Sequence, residues 1–227
     1  MSRMIMAVAV AAAVFVPVAH PADLSSYMLS SDHRLTFSQA RHPSQAQEQF
    51  SQAHAAGVRP VYSNIGYDYP KGRYISDVGW TISGPTSLIG QQIWIGAAFT
   101  PKQSVMVIEV DAALGYVTGT MGMTLNLYTD AGGVPGTLLA SFKAKKLPSF
   151  GACCDLIRAF DGTGVPVTAG TQYWITAETT AASADEWGVW NLNDVDQVDI
   201  GTNAVNSGSG WQPTQLIPAP SFAVFSG

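Results

Sequence analysis

Histidines, cysteines, carboxylates and tryptophans are the side chains through which this chain could do chemistry, and their placement excludes more than it admits. All four histidines (His20, His33, His42, His54) precede residue 58. A Ser-His-Asp or Cys-His arrangement in the remainder would lack its base, and a histidine-type zinc site would lack its ligands. His33, His42 and His54 stand nine and twelve residues apart, which does not place them on one helical turn as a metal tract needs. Glu109, Glu178 and Glu186 are the only glutamates beyond residue 58, and glycoside hydrolysis needs just two acids at a suitable separation. Glu178 falls on the polar phase of its segment and Asp185-Glu186 opens another, so both read first as solvated strand-edge charges. The run DAGGVPG (130–136) fits neither a phosphate-binding loop nor a dinucleotide fingerprint and reads as a turn. No catalytic motif emerges, and a non-enzyme is expected.

Cys153 and Cys154 are adjacent and are the only cysteines. In an oxidising compartment they could close a vicinal disulfide, remain two thiols or bond another chain; no Cys-x-x-Cys redox motif is present. Six tryptophans lie between Trp80 and Trp211. Trp187 and Trp190, in EWGVWNLN, stand beside Asn191 and Asn193, and aromatic rings next to amides are what a sugar-binding face uses. These four residues are the candidate ligand contacts, weighed against core packing of either Trp. Asp194, Asp196 and Asp199 alternate just beyond and could supply oxygens to Ca²⁺, although no EF-hand spacing is present. No other cofactor is expected.

Elements must position these residues, and composition limits which. The chain has 227 residues, 11 basic against 16 acidic side chains, a net charge of -5 and only 12% charged residues. A basic nucleic-acid binder needs a Lys/Arg excess to neutralise phosphates, so DNA and RNA are not expected partners. With 47% hydrophobic residues, 22 Gly and 13 Pro, disorder and coiled coil are also disfavoured. Short β-rich runs are expected at 61–65, 74–83, 92–99, 104–116, 122–128, 136–145, 154–160, 171–179, 186–191, 202–205 and 221–225. Gly, Pro and Asp turns such as DGTG (161–164) and SGSG (207–210) separate them. Met123, Leu125 and Leu127 alternate with polar neighbours, and Tyr173, Ile175 and Ala177 alternate with Trp174, Thr176 and Glu178, which predicts one core face and one wet face. The expectation is an all-β, antiparallel β-sandwich of jelly-roll type spanning 58–227.

Upstream, Arg3 and the uncharged run IMAVAVAAAVFVPV (5–18) lead into Ala19 and Ala22. A basic start, an apolar stretch shorter than a membrane span and small residues afterwards read as a secretory signal peptide over 1–22, with cleavage after Ala19 or Ala22 both open. An uncleaved anchor is the alternative. Residues 23–57 are rich in Ser, Gln and His and read as a linker or short helix, Ser44 with Gln47 forming a capping box. Once the leader is removed the protein is expected to be soluble, secreted or periplasmic.

Several segments beyond residue 58 resemble a family of exported bacterial choice-of-anchor domains, type R-like, often carried by proteins with PEP-CTERM-type sorting tails. They are GWTISGP (79–85), GAAFTP (96–101), LYTDAGGVPGTLLAS (127–141), LPSFGACCDL (147–156), VTAGTQYWI (167–175), GSGW (208–211) and the closing FAVFSG. The resemblance implies a β-sandwich outside the cytoplasm and brings no catalytic residues, since the family's activity is unassigned. The carboxyl end departs from the pattern, with no anchor segment expected after the last strand.

Three readings follow. The first is an exported, non-catalytic module binding glycan or another envelope component. The second is a structural or self-associating envelope protein, and the third a carbohydrate-active enzyme using Glu178 and Glu186.

Overall fold

The computed structural model describes residues 28–30, 60–65, 74–151, 157–193, 200–214 and 217–227. The expected leader, nearly all of 23–57, Cys153, Cys154, Asp194, Asp196 and Asp199 lie outside the described residues. In chain order the strands are β1 (Met28–Ser30), β2 (Pro60–Ser63), β3 (Tyr74–Ser83), β4 (Trp94–Phe99), β5 (Val105–Ala112), β6 (Leu114–Thr118), β7 (Thr124–Asp130) and β8 (Pro135–Lys143). They continue with β9 (Ile157–Val167), β10 (Tyr173–Glu178), β11 (Trp187–Asn193), β12 (Ile200–Gly201), β13 (Asn203–Asn206), β14 (Trp211–Pro213), β15 (Ile217–Pro218) and β16 (Phe222–Ser226). A 3-10 turn, Ala181–Ser183, joins β10 to β11.

The strands pair antiparallel, and the expected all-β sandwich is what they build. One layer is a six-stranded sheet in the order β14-β13-β4-β10-β7-β8; the opposing layer combines β1-β3-β11-β6 with β2-β16-β5-β9, and β12 pairs with β15.

Alternation explains why these layers meet. Side chains two apart share a face of a strand, so Ile93, Ile95, Ala97 and Phe99 of the β4 segment, Leu125 and Leu127 of β7, and Ile175 and Ala177 of β10 point into the sandwich. There they meet Trp80, Ile82, Val107, Val110, Trp190, Phe222 and Val224 from the other layer in one cluster. Each such side chain withdrawn from water contributes about 1.5–3 kcal/mol, so the period-two pattern decides which face of each strand is core.

Two local departures from the expected strands have backbone causes. The single run expected over 104–116 breaks at Ala113, whose N–H donates to Ser221 O (3.2 Å) and whose carbonyl accepts from Asn191 N (2.8 Å). Ser221 N in turn donates to Asn191 O (2.8 Å), and these bonds join the two four-stranded sheets. The DGTG turn lies inside β9 as a bulge: the register with β5 passes from Val107↔Val165 to Glu109↔Phe160, and Gly164 takes a φ of 69° that favours glycine. Met28–Ser30, expected within a linker, instead pairs with β3 through Val78, Gly79 and Trp80.

Candidate functional site

The four residues chosen from sequence do not form a common surface. Trp187 and Trp190 are three apart on β11, and a strand sends such a pair to opposite faces. Trp190 is wholly buried in the core and its Nε1 donates to Ser221 O (2.8 Å). Asn191 and Asn193 are also buried, and the backbone N–H of Asn193 donates to Ala219 O (3.1 Å). Trp187 alone of the four is half-buried. As sugar contacts, Trp190, Asn191 and Asn193 are therefore corrected to interior residues. Their local sequence placed aromatics beside amides, while the strand period separated them.

The structure gathers a different aromatic group on the outer face of the six-stranded sheet. Residues paired across antiparallel strands share a face. In one row stand Trp211 of β14, Asn206 of β13 and Trp94 of β4. A second row carries Pro213, Ala204, Gly96, Thr176, Asn126 and Ser141. Ala98, Trp174 and Tyr128 make the third. Trp94, Tyr128 and Trp211 are half-buried. The Trp211 ring leans across to Tyr128, with centroids 6.4 Å apart and planes at 69°.

Gly96 is the gap over which this arrangement closes. A Cβ there would lie 3.2 Å from Pro135 Cγ, 3.3 Å from Thr176 Cγ2 and 3.4 Å from Trp174 Cε3. The DAGGVPG hairpin thus bends over the face and seats Pro135 on the glycine. Asp130 fixes that bend by accepting from Gly132 N (3.1 Å), Gly133 N (3.1 Å), Gln172 Nε2 (2.8 Å) and Trp174 Nε1 (2.8 Å). Burial pushes the Asp130 carboxyl up, but the bonds from Trp174, Gln172, Gly133 and Gly132 together hold it below its usual range.

This covering overturns the expectation that Trp174, Thr176 and Glu178 are wet: all of β10 is buried on both faces. Thr176 Oγ1 donates to Glu178 Oε1, and Ser141 Oγ donates to Asn126 Oδ1. Burial, reinforced by the Glu178 carboxylate beside it, raises the Tyr128 hydroxyl pKa well above the usual tyrosine range, so Tyr128 stays a neutral hydrogen-bond donor. Trp94 Nε1 donates to Thr179 Oγ1 (3.0 Å). The result is a cover of Pro135 and half-buried aromatic rings over the buried side chains of Thr176, Asn126 and Glu178. One signal for it was legible in sequence: a tryptophan, Trp174, on the otherwise polar phase of its strand.

The other acids occupy separate settings. Glu109 of β5 pairs with Arg158 of β9 at 2.7 Å, and Asp111 lies 3.7 Å from the same Nε. Glu186 is fully buried where the 3-10 turn meets the β6–β7 loop; its Oε2 accepts from Gly122 N (2.8 Å) and its Oε1 is buried without a partner. Burial pushes its carboxyl up to about 7, the Gly122 N–H lowers it and Asp185 raises it further. Glu178 and Glu186 are thus held by different elements, Glu178 by its own strand and β7, Glu186 by the loop before β7. Among the described residues, no group of three or more His, Cys, Asp or Glu could hold a metal ion, and no helix is long and apolar enough to cross a membrane.

No protein-family model, curated protein or solved structure matches the chain. Its functional reading therefore stands on its own geometry.

Proposed function

We propose that the protein is an exported, non-catalytic β-sandwich that binds a glycan or another extracellular or envelope component through the outer face of its six-stranded sheet. The observation that carries this is the half-buried trio Trp94, Tyr128 and Trp211 gathered on one face of the six-stranded sheet, with the exposed Ser141 on the same face. Rings offer flat apolar faces to sugar C–H groups while hydroxyl and amide groups read their hydroxyls, which is the composition of a carbohydrate site. Secretion through the leader supplies the compartment in which such ligands occur.

The test is a glycan screen of the purified protein alongside Trp211→Ala, Trp94→Ala and Trp190→Ala. Binding is expected to fall at least tenfold in the first two with little change in melting temperature. Trp190→Ala should lower stability by about 3–5 kcal/mol, as loss of a core aromatic does. Unchanged binding in both Trp211→Ala and Trp94→Ala sinks the assignment to this face.

One observation favours the self-association reading in its place. β8 ends the six-stranded sheet and exposes the neighbouring Leu138 (50%) and Leu139 (37%), and apolar side chains exposed on an edge strand invite strand pairing. A concentration-dependent mass in light scattering, lost in Leu138→Lys, would support that alternative.

A further inference from the structure

We infer that the protein docks on an anionic lipid bilayer through one end of the sandwich, where the loops 84–92, 119–123 and 144–147 meet the 3-10 turn before β11. This surface is separate from the aromatic face of the six-stranded sheet. Three observations carry it: which loops share that end, what they expose, and where the basic residues lie.

Strand order brings the loops together. Trp187, the first residue of β11, pairs with Ser83 at the end of β3 and with Thr118 at the end of β6, and neighbouring strands stand about 4.8 Å apart, so those two ends are about 10 Å from each other. The turn that enters β11 fills the space between the loops they carry. Thr86 N donates to Ala184 O (2.9 Å) on one side, and Thr120 holds the Asp185 carboxylate through N and Oγ1 (both 3.1 Å) on the other. Leu147 N donates to Met121 Sδ (3.3 Å), which adds the loop after β8. Glycines keep these junctions close: a Cβ on Gly84 would lie 2.1 Å from Ala184 O, and one on Gly119 2.1 Å from Asp185 O. The tips are therefore fixed before a partner arrives, and binding costs little ordering.

What the tips expose is apolar. Leu88 is 81% exposed, the most of any large hydrophobic among the described residues, and Met121 is 42% exposed. Ala181 and Ala182, on the turn between their loops, are exposed as well. A single exposed leucine is ordinary, but here two long apolar side chains from separate loops stand at one end with only small apolar residues on the turn between. Withdrawing them from water into the headgroup layer of a bilayer is favourable, as it is for the apolar residues of interfacial segments.

The basic residues set the charge of the partner. Of the five Lys and Arg between Tyr74 and Gly227, Lys143, Lys145 and Lys146 fall within one run of four residues. All three are exposed, and they directly precede the Leu147 that reaches Met121. Lys146 has a φ of 56°, the one positive value on a residue other than glycine among the described residues, and such strain persists only where the surroundings over-determine it. Of the two acids in these loops and the turn, Asp185 is held by Thr120 and Glu186 is buried. The chain as a whole carries a charge of -5, but charges more than about 8–10 Å from the surface are largely screened at physiological salt. An anionic bilayer therefore accepts the molecule with this end foremost, each lysine adding to the attraction.

The experiment sediments the purified protein with vesicles of phosphatidylcholine and with vesicles of an equal mixture of phosphatidylcholine and phosphatidylglycerol, each across a salt series, with soluble polyglutamate as competitor. Binding to the anionic vesicles should be at least fivefold stronger than to the neutral ones and should fall steeply with salt. Leu88→Ser, a change at a solvent-exposed tip, should weaken it at least threefold and leave the salt dependence in place. Lys145→Gln combined with Lys146→Gly should weaken it at least fivefold and flatten the salt series; glycine takes the left-handed backbone without strain, so circular dichroism should show this variant folded. Binding unchanged in both variants overturns the inference. So does binding that polyglutamate abolishes while Leu88→Ser leaves it intact, which would mark a purely ionic surface for an acidic macromolecule. A folded wild-type protein that stays in the supernatant with both kinds of vesicle overturns it outright.

Discussion

Glu186 shows how much one carboxyl can set at the residue scale. It is 0% exposed, with Gly122 N on one oxygen and Asp185 as its charged neighbour. Asp185 itself is held by Thr120 through N and Oγ1, both at 3.1 Å. Burial moves the Glu186 carboxyl from an ordinary 4.5 to about 7. Between those values the folded chain keeps a proton that the unfolded chain releases, so stability falls as pH rises through that window and levels off above it. At about 1.36 kcal/mol per pKa unit the fall amounts to roughly 3 kcal/mol. Urea unfolding from pH 4 to 8 should show this decline, and Glu186→Gln should flatten it and be the more stable protein at pH 8. Parallel curves for the two proteins would refute the assignment. Asp130 works in the opposite sense, its lowered pKa adding stability that is lost only as pH falls below its ordinary 3.8.

At the scale of elements, strand phase determined what could be read. The segment 74–83 matched β3 at both ends, because turn residues bound it and its apolar phase is regular. β10 was located with its inward face correct, yet its outer face was misjudged, since the hairpin that follows its neighbour β7 folds over it and no local pattern encodes that fold-over. Trp187 and Trp190 misled for a related reason: nearness in sequence is not nearness on a strand when the spacing is odd. β14, the strand that contributes Trp211 to the outer aromatic face, went unread because Trp211–Pro213 is three residues long with no alternation to detect. Close approach between strands gives a sharper expectation. A Cβ on Gly79 would lie 2.4 Å from Val189 Cγ1, 2.5 Å from Trp190 O and 2.8 Å from Asn191 Cα, and two of those three are backbone atoms that cannot rotate aside. Gly79→Ala should therefore force β3 off β11 and cost at least the ~1–3 kcal/mol typical of overpacking. A melting temperature within a degree of wild type would show that the sheet can spread to admit a methyl group.

On the whole-molecule scale, the sandwich is closed by its most distant parts. β16, the last strand, lies between β2 and β5, so residues near 60 and near 224 share a sheet that also contains the middle of the chain. Such pairings are invisible to local sequence patterns, and they bring a large loop-closure entropy that only burial and satisfied polar groups offset. Asn64 fastens this closure. Its Nδ2 donates to Pro220 O (2.8 Å), its Oδ1 accepts from Phe222 N (2.8 Å), and its own N–H donates to Phe222 O (3.1 Å). One side chain thereby satisfies two buried backbone groups more than 150 positions away. Asn64→Ala leaves Pro220 O and Phe222 N unsatisfied in the interior, at about 1–3 kcal/mol for each buried group left unmade. Because β16 also supplies Phe222 and Val224 to the main core, loosening it should reach both layers at once. Amide exchange in Asn64→Ala is expected to rise together in β2, β16 and β5, with a single cooperative transition at lower urea. Faster exchange confined to β2 would mean that the carboxyl-terminal strand is held by its core side chains alone.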